Sequence, residues 1–527
     1  MNLRIVRWFV PIALTCALLI VTQMTAQAQN NTHHHYKFID LGTLGGPKSG
    51  VNGEPSVQAI NNAGTVVGVA DTPMLTPVPG GFNPIGRIDF FISHAFVWRG
   101  GSLKDLGTLP GGDYSFAAAI NQLGQIAGTS ENSQIDPASG NPEFHAVLWQ
   151  NDKILDLGTL GGTASFAATL NNRGQVIGEA LNDVPDPLSI LGIGNGTTLT
   201  QTRAFLWQNG KMNDLGTLGG PDSWAMYVND RGQVAGTSYT SDAVDPNTLT
   251  PQSDPFLWEN GKMKDLGNLG GTNGFLGPQF VQAFNNRGQV VGLMALPGDQ
   301  LFHAFLWDGE KLSDLGNILG GDFALATGIN DAGEVVGWVW FPGGAVKHAF
   351  LWRDGVMTDL GTVPGDPCSF ASNINSRSQV VGGSQSSDGA SACVNDFVHA
   401  ALWENGEPGV DLNTLILPGS DLQLVVANWI NDSGEIVGVG HDPSCPNGDN
   451  CDGHAYVLIP CDENHPGIVG CDYSLVAATT SAQLEPPRNT QLSAPTGAAK
   501  LSPAEVMTRL RSMMASRYRK FGPGPRQ

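Results

Sequence analysis

Residues 203–236 read RAFLWQNGKMNDLGTLGGPDSWAMYVNDRGQVAG. Asn209-Gly210 stands between two apolar runs. That is the strongest short signal for a two-residue hairpin, because both turn positions need positive φ. Asp230-Arg231-Gly232 stands between Ala-Met-Tyr-Val-Asn and Gln-Val-Ala-Gly. It reads as a second hairpin, with glycine at the left-handed position and an asparagine able to bond the turn backbone. Two hairpins make four short strands. Helical periodicity is absent until the C-terminal tail.

Outward from this stretch, three signatures recur. One is an Ile-Asn turn followed by a glycine and an apolar run, with asparagines at 61, 121, 171, 229, 285, 330, 375 and 431. The second is a His-Ala-Phe-Leu-Trp strand starting at His94, His145, Arg203, Asp254, His303, His348, His399 and His454. The third is Asp-Leu-Gly at Asp40, Asp105, Asp156, Asp214, Asp265, Asp314 and Asp359, with Asp411-Leu412-Asn413 as a worn copy. A spacing of ~45–60 residues suits propeller blades rather than shorter solenoid repeats. The repeat array opens on a lone third-signature strand, residues 36–41, and closes on a lone second-signature strand, residues 454–459. Pairing these halves would close a ring and leave no open edge. The expected fold is therefore all-β: a β-propeller of eight four-stranded blades over residues 36–460, closed between its N- and C-terminal strands. Seven blades or an open β-solenoid are the alternatives.

Both hairpin turns keep their length, while the other connections vary. The segments 69–93, 179–202 and 237–253 are long where 293–302 is short. In an up-and-down blade alternate connections share an end, so the long loops gather on one face. Rigid scaffolds carry function on such loops.

The motifs His-Ala-Phe-Leu-Trp, Asp-Leu-Gly-Thr-Leu-Gly-Gly and Ile-Asn-x-x-Gly-Gln-Val-Val-Gly together resemble the bacterial extracellular repeat family named for its His-Ala-Phe signature. The likeness covers residues 36–460 through eight units. It implies an exported bacterial protein and no particular activity.

Residues 1–28 have the form of a signal peptide: Arg4 and Arg7, an apolar run over 9–21, and Ala26-Gln27-Ala28 as the cleavage signal. No later run is long and apolar enough to span a membrane, so the chain is expected in an extracellular, periplasmic or cell-surface setting. Cys368, Cys393, Cys445, Cys451, Cys461 and Cys471 then remain, an even set that favours disulfides in an exported chain. Sequence neighbours suggest Cys368–Cys393, Cys445–Cys451 and Cys461–Cys471; six cysteines allow fifteen connectivities.

Net charge is −21, with seven cations against Glu505 in residues 500–527. The acidic body argues against nucleic acid as a partner. Residues 461–500 read as a disulfide-containing extension and linker. Residues 501–527 read as a short helix outside the propeller. Ser502-Pro503-Ala504-Glu505 has the form of a capping box, and Val506, Leu510, Met513, Met514 and Phe521 fall near one face. Its cations suit an anionic surface, or the chain's own acidic body.

Candidate sites are few. Symmetry spreads the repeated histidines around the ring, which suits strand-edge hydrogen bonding better than a metal. The repeated tryptophans, such as Trp98 and Trp149, suit packing between blades. Trp224, in the Thr-Leu-Gly-Gly loop region, has no tryptophan counterpart in most units and is the candidate ligand contact. Asn447, Asp449 and Asp452 form a calcium-like loop without EF-hand spacing; a disulfide-pinned turn is the other reading, and no other cofactor is expected. His33-His34-His35 suits either a divalent metal or a free terminus. No G-x-S-x-G, phosphate loop or H-E-x-x-H occurs in the sequence. The expected function is a non-catalytic scaffold that binds a protein or glycan partner through the long-loop face. An extracellular glycan hydrolase or lyase, with carboxylates at an axial channel, is the alternative; a structural envelope or matrix component is a third.

Overall fold

The structure is a computed structural model. It describes residues 32–477 except 52–57, 77–90, 138–139, 141, 187–188, 190–199, 247–250, 276–282, 317–320, 322, 342–345, 386–392, 394–398, 405–407 and 445–452. The signal segment, the tail at 501–527, the Asn447, Asp449 and Asp452 loop and the Cys445–Cys451 pair lie outside the described residues.

One repeat shows how the rest are built. Ser223–Val228, Val234–Val244, Pro251–Glu259 and Lys262–Asp265 pair antiparallel in chain order. Asn260 and Gly261 have φ of 52° and 79°, as a two-residue turn matched to strand twist requires. The first of these strands carries a bulge between Ala225 and Tyr227, facing Gly236. A Cβ there would run into the Trp224 carbonyl and the Phe256 ring. This explains the closing glycine of the Ile-Asn-x-x-Gly-Gln-Val-Val-Gly signature.

The described strands form six four-stranded antiparallel sheets and one of eight strands, besides a two-stranded pair at the edge. The eight-stranded sheet is two four-strand halves joined by one parallel bridge, Phe302 to Phe323. Small sheets packed face to face in chain order are the architecture of a β-propeller. Among the described residues the single helical turn is Leu412–Thr414, where the worn Asp411 copy accepts the Asn413 N–H as its cap.

Apolar residues of adjacent sheets share each core cluster. Leu206 packs with Ala225, Val234 and Phe256 of the next sheet. Val66, Phe96 and Trp98 of the first sheet share a cluster with Val437 and Val457 of the last. Each such buried side chain contributes about 1.5–3 kcal/mol. Tyr36–Asp40, near the start, pairs with Gly453–Pro460, near the end.

The asparagine turns supply a polar counterpart. Asn171 is buried, and its amide bonds are all used. Nδ2 donates to Gln175 Oε1 at 2.7 Å and to the Asn229 carbonyl at 2.9 Å. Oδ1 accepts from Arg173 N–H and Gln175 N–H at 3.0 and 3.1 Å. No other side chain of this size supplies two donors and two acceptors in that geometry. The donation from each asparagine to the next turn recurs: Asn61 to Asn121, Asn121 to Asn171, Asn229 to Asn285, Asn285 to Asn330, Asn330 to Asn375 and Asn375 to Asn431. Asn431 donates to the Asn61 carbonyl at 3.0 Å.

Two disulfides follow the expected pairing. Cys368–Cys393 ties a strand to the segment beyond its neighbour, and Cys461–Cys471 closes the C-terminal extension. The extension returns to pair Leu475–Ala477 with Thr32–His34. His33-His34-His35 is thereby held in place; His33 Nδ1 lies 2.8 Å from Glu404 Oε1.

Candidate functional site

The repeated motifs are taken up by the scaffold. His94, His145, His303, His348 and His454 each set Nδ1 at 2.8–3.0 Å from the aspartate of an Asp-Leu-Gly turn. The same aspartates accept the turn glycine's N–H, as Asp156 does from Gly158 at 2.8 Å. Burial pushes the Asp156 carboxyl upward, but the His145 and Gly158 hydrogen bonds outweigh it and hold it below the usual range. Arg203 keeps the clamp as an ion pair with Asp214 at 3.2 Å. His399 turns to Asp366 instead, at 2.8 Å, because Asp411 caps the helical turn. That bond holds the His399 imidazole above its ordinary value. Asp254 alone faces a like charge: burial and then Asp265 push its carboxyl up to about 6.

A serine outside the three signatures completes the clamp. Ser165 Oγ accepts the Ala146 N–H at 2.8 Å and donates to the Gly158 carbonyl at 2.6 Å. Ser115, Ser223 and Ser369 repeat this. Its signal was present: a serine 19 or 20 residues after the His-Ala-Phe alanine.

Trp224 does not sit in a loop. It lies in the strand Ser223–Val228, 3% exposed, with its ring edge-on to Tyr239 at 5.8 Å. Strand alternation turns it into the core, so its indole is spent on packing rather than offered to a ligand. Trp149 likewise packs between sheets and donates to the Leu106 carbonyl at 3.0 Å.

A cavity of about 230 Å³ opens at the end of the asparagine turns, and every one of these turns contributes to its wall. Three carboxylates stand there, Asp230, Asp331 and Asp432. Each accepts a neighbouring turn's backbone N–H: Asp230 from Asn172 at 2.9 Å, Asp331 from Asn286 at 2.8 Å and Asp432 from Ser376 at 3.0 Å. They are bracing groups on the short-hairpin end, opposite the long connections.

The long connections are not loops from their start. Their strands run on past one irregular step, and pairing resumes at Leu75 with Phe91, Ile135 with Pro142, Pro185 with Thr200 and Val244 with Pro251. Prolines at the ends of these ladders suggest loops in the sequence, yet a terminal strand position tolerates a missing N–H. The result is four projecting arms on four consecutive sheets. Their bases are buried and polar. Asp71 accepts from Ser93 Oγ at 2.7 Å. Glu131 accepts the Asp113 and Tyr114 N–H groups at 2.8 and 3.2 Å, and burial pushes its carboxyl up to about 7. Their outer parts expose large apolar side chains: Met74, Leu75, Ile135, Val184 and Val244, 42–63% accessible. Over 131–145, 179–202 and 237–253 there are eight carboxylates and no lysine or arginine.

The later part of the same face is different. Trp338 stacks on Phe323 at 5.2 Å and meets Trp340 edge-on at 6.1 Å. Lys347 Nζ lies 5.5–5.7 Å from the rings of Trp338, Trp340 and Phe370, and burial lowers its ammonium to about 8. The signal for this patch is Trp338-Val339-Trp340 after the shared Val-Val-Gly, where other units have Val69-Ala70-Asp71 or Leu293-Met294-Ala295.

No family model matches the chain, and no curated protein is detectably similar to it. Among solved structures, the β-propeller domain of the trilobed protease from Pyrococcus furiosus is 9% identical, over 67% of this chain and 95% of that one, with a TM-score of 0.39. Dipeptidyl peptidase 4 from Porphyromonas gingivalis is 9% identical, over 80% of this chain and 66% of that one, with a TM-score of 0.40. The α-L-arabinofuranosidase Arb93A from Fusarium graminearum is 8% identical, over 55% of this chain and 91% of that one, with a TM-score of 0.24.

Proposed function

We propose that the chain is an exported, ring-closed propeller of eight blades, of the His-Ala-Phe repeat type, and that it is a binding scaffold rather than a catalyst. Two observations support the ring: the asparagine donations return from Asn431 to Asn61, and the strand at residues 36–40 pairs with the one at 453–460. The observation that carries the binding role is the row of four arms. A stably folded protein seldom leaves large apolar side chains exposed in a series without a partner to cover them. Here they recur at one place on consecutive sheets, among carboxylates, on rigid paired strands. The arms present this surface to a protein or glycan outside the chain.

The test is a variant with Leu75→Ser, Ile135→Ser, Val184→Ser and Val244→Ser. Binding of purified chain to isolated envelope proteins and to a panel of polysaccharides is compared with the parent. The expected result is an unchanged melting temperature with at least tenfold weaker binding. Undiminished binding by the variant overturns the assignment.

A further inference from the structure

The arms suit one chemistry in particular. Beyond the apolar side chains they expose, arms two to four carry Asp136, Glu143, Asp183, Asp242 and Asp245 outside their buried bases, and no lysine or arginine. The complement of such a surface is a segment with one apolar face and several cations. The chain contains one. Residues 501–527 carry Val506, Leu510, Met513, Met514 and Phe521 near one helical face, with Arg509, Arg511, Arg517, Arg519 and Lys520 among them. We infer that this C-terminal segment docks on the chain's own arms, and so occupies the surface to which an outside partner binds. The inference rests on the reading of the arms as a binding surface.

Reach does not oppose it. The described chain ends at Ala477, paired with Thr32, and residues 478–500 lead from there to the basic segment. Twenty-three residues span ~80 Å when extended. A body of roughly 445 residues has a radius of gyration of about 22 Å, so the segment reaches either face. A tether of this length holds its end at an effective concentration of order millimolar. A weak intrinsic affinity is then enough to keep the arms covered. An outside partner must displace the segment, so partner binding responds to whatever draws the segment away, such as salt or an anionic surface.

Zero-length carboxyl–amine cross-linking of the full chain, read by mass spectrometry, tests this. Lys500 and Lys520 should couple to Asp136, Asp183 or Asp242. The products should fall at least tenfold on raising salt from about 50 to about 500 mM, and in the fourfold arm variant defined above. A peptide of residues 501–527 added to chain truncated after Ala499 supplies a second measurement. It should bind the parent arms and bind at least tenfold more weakly to Asp183→Asn, Asp242→Asn, whose exposed positions leave folding intact. Cross-links confined to carboxylates at the asparagine-turn end overturn the inference. So does a peptide that binds only vesicles containing about one-third anionic lipid, by the attraction basic helices have for such surfaces. If truncation leaves the arms unchanged while the fourfold variant still loses its outside partner, self-docking fails and the scaffold reading survives. If the peptide docks and no outside partner depends on the arms, the reverse holds.

Discussion

The first four sheets, residues 49–265, and the later ones, residues 274–460, share every repeated motif and differ in what they do with the opposite face. Asn171 in the first part and Asn375 in the second make the same four hydrogen bonds. His145 and His348 make the same clamp. Yet the first part extends its central strands into arms with exposed apolar side chains. In the later part, the corresponding place near residues 335–350 is covered by Phe323, Trp338, Trp340 and the Lys347 stem, and tied by Cys368–Cys393. The repeat therefore sets the frame, and among the described residues the segments between repeats leave the face open on the first four sheets and sealed at the Trp338 and Trp340 patch. A surface that is closed by aromatic packing and a disulfide is being stabilised. One that is left apolar and exposed is the surface to which the proposed binding role is assigned.

The comparison breaks most readily at the disulfide. Cys368→Ala with Cys393→Ala opens a loop of 25 residues. Loop-closure entropy puts the loss at about 3 kcal/mol, measured as a lower denaturant midpoint. An unchanged midpoint would mean that the sealed part owes nothing to its staple. The asparagine turns give the control. Asn171→Ala and Asn375→Ala each leave a turn's N–H groups and the next turn's carbonyl without a partner, at about 2–3 kcal/mol apiece. The two losses should agree within about 1 kcal/mol. A large difference would show that the common frame is not common.

Much of the frame was legible in the sequence. Asn209-Gly210, Asn260-Gly261 and Asp354-Gly355 announce positive φ at both positions, and all three have it. The role of the histidines was legible too, but not their partner. His145 and Asp156 are eleven residues apart and meet only because Lys153–Asp156 folds back on Pro142–Gln150 in one register, and a single sequence does not state register. Trp224 reads as a loop residue in the sequence because Gly220-Pro221-Asp222 hides where the strand starts. The strand begins at Ser223, straight after Gly220-Pro221-Asp222, and alternation then points the indole inward. The arms were hidden by their prolines. Pro142, Pro185 and Pro251 each occupy a ladder position where one missing donor is tolerated. What sequence reading could not supply was exposure: Ile135 and Leu148 are both apolar strand residues, and only packing makes the first 56% accessible and the second 1%.

A smaller effect separates the two parts at the clamp. Asp254 stands where five other units have histidine against aspartate, and it is 4% exposed. Its folded carboxyl titrates at about 6 against an ordinary 3.8. A carboxyl raised in the folded state binds its proton more tightly there than when unfolded. It leaves stability untouched at low pH and removes it as pH rises between these two values. Asp254→Asn should therefore stabilise the chain by about 1–2 kcal/mol above pH 6, the upper figure being discounted because Asp265 is exposed and solvent-screened. Below pH 4 the two proteins should melt together. A gain that persists at low pH would assign the effect to packing rather than charge.

The smallest expected change is the most informative about the open part. Leu75→Ser, Ile135→Ser, Val184→Ser and Val244→Ser remove side chains that already face water, so each should alter stability by no more than about 0.5 kcal/mol. The same substitution at a sealed position, Val339→Ser, buries a hydroxyl where a fully buried valine stood and should cost about 2–3 kcal/mol. Chemical denaturation of the five single variants measures both numbers on one scale. If the exposed changes cost as much as the buried one, the arm residues are structural and the face is uniform. If they cost nothing while the chain's self-association or partner binding falls, the exposed apolar surface is retained for contact with another molecule or segment, because folding alone gives no reason to keep it.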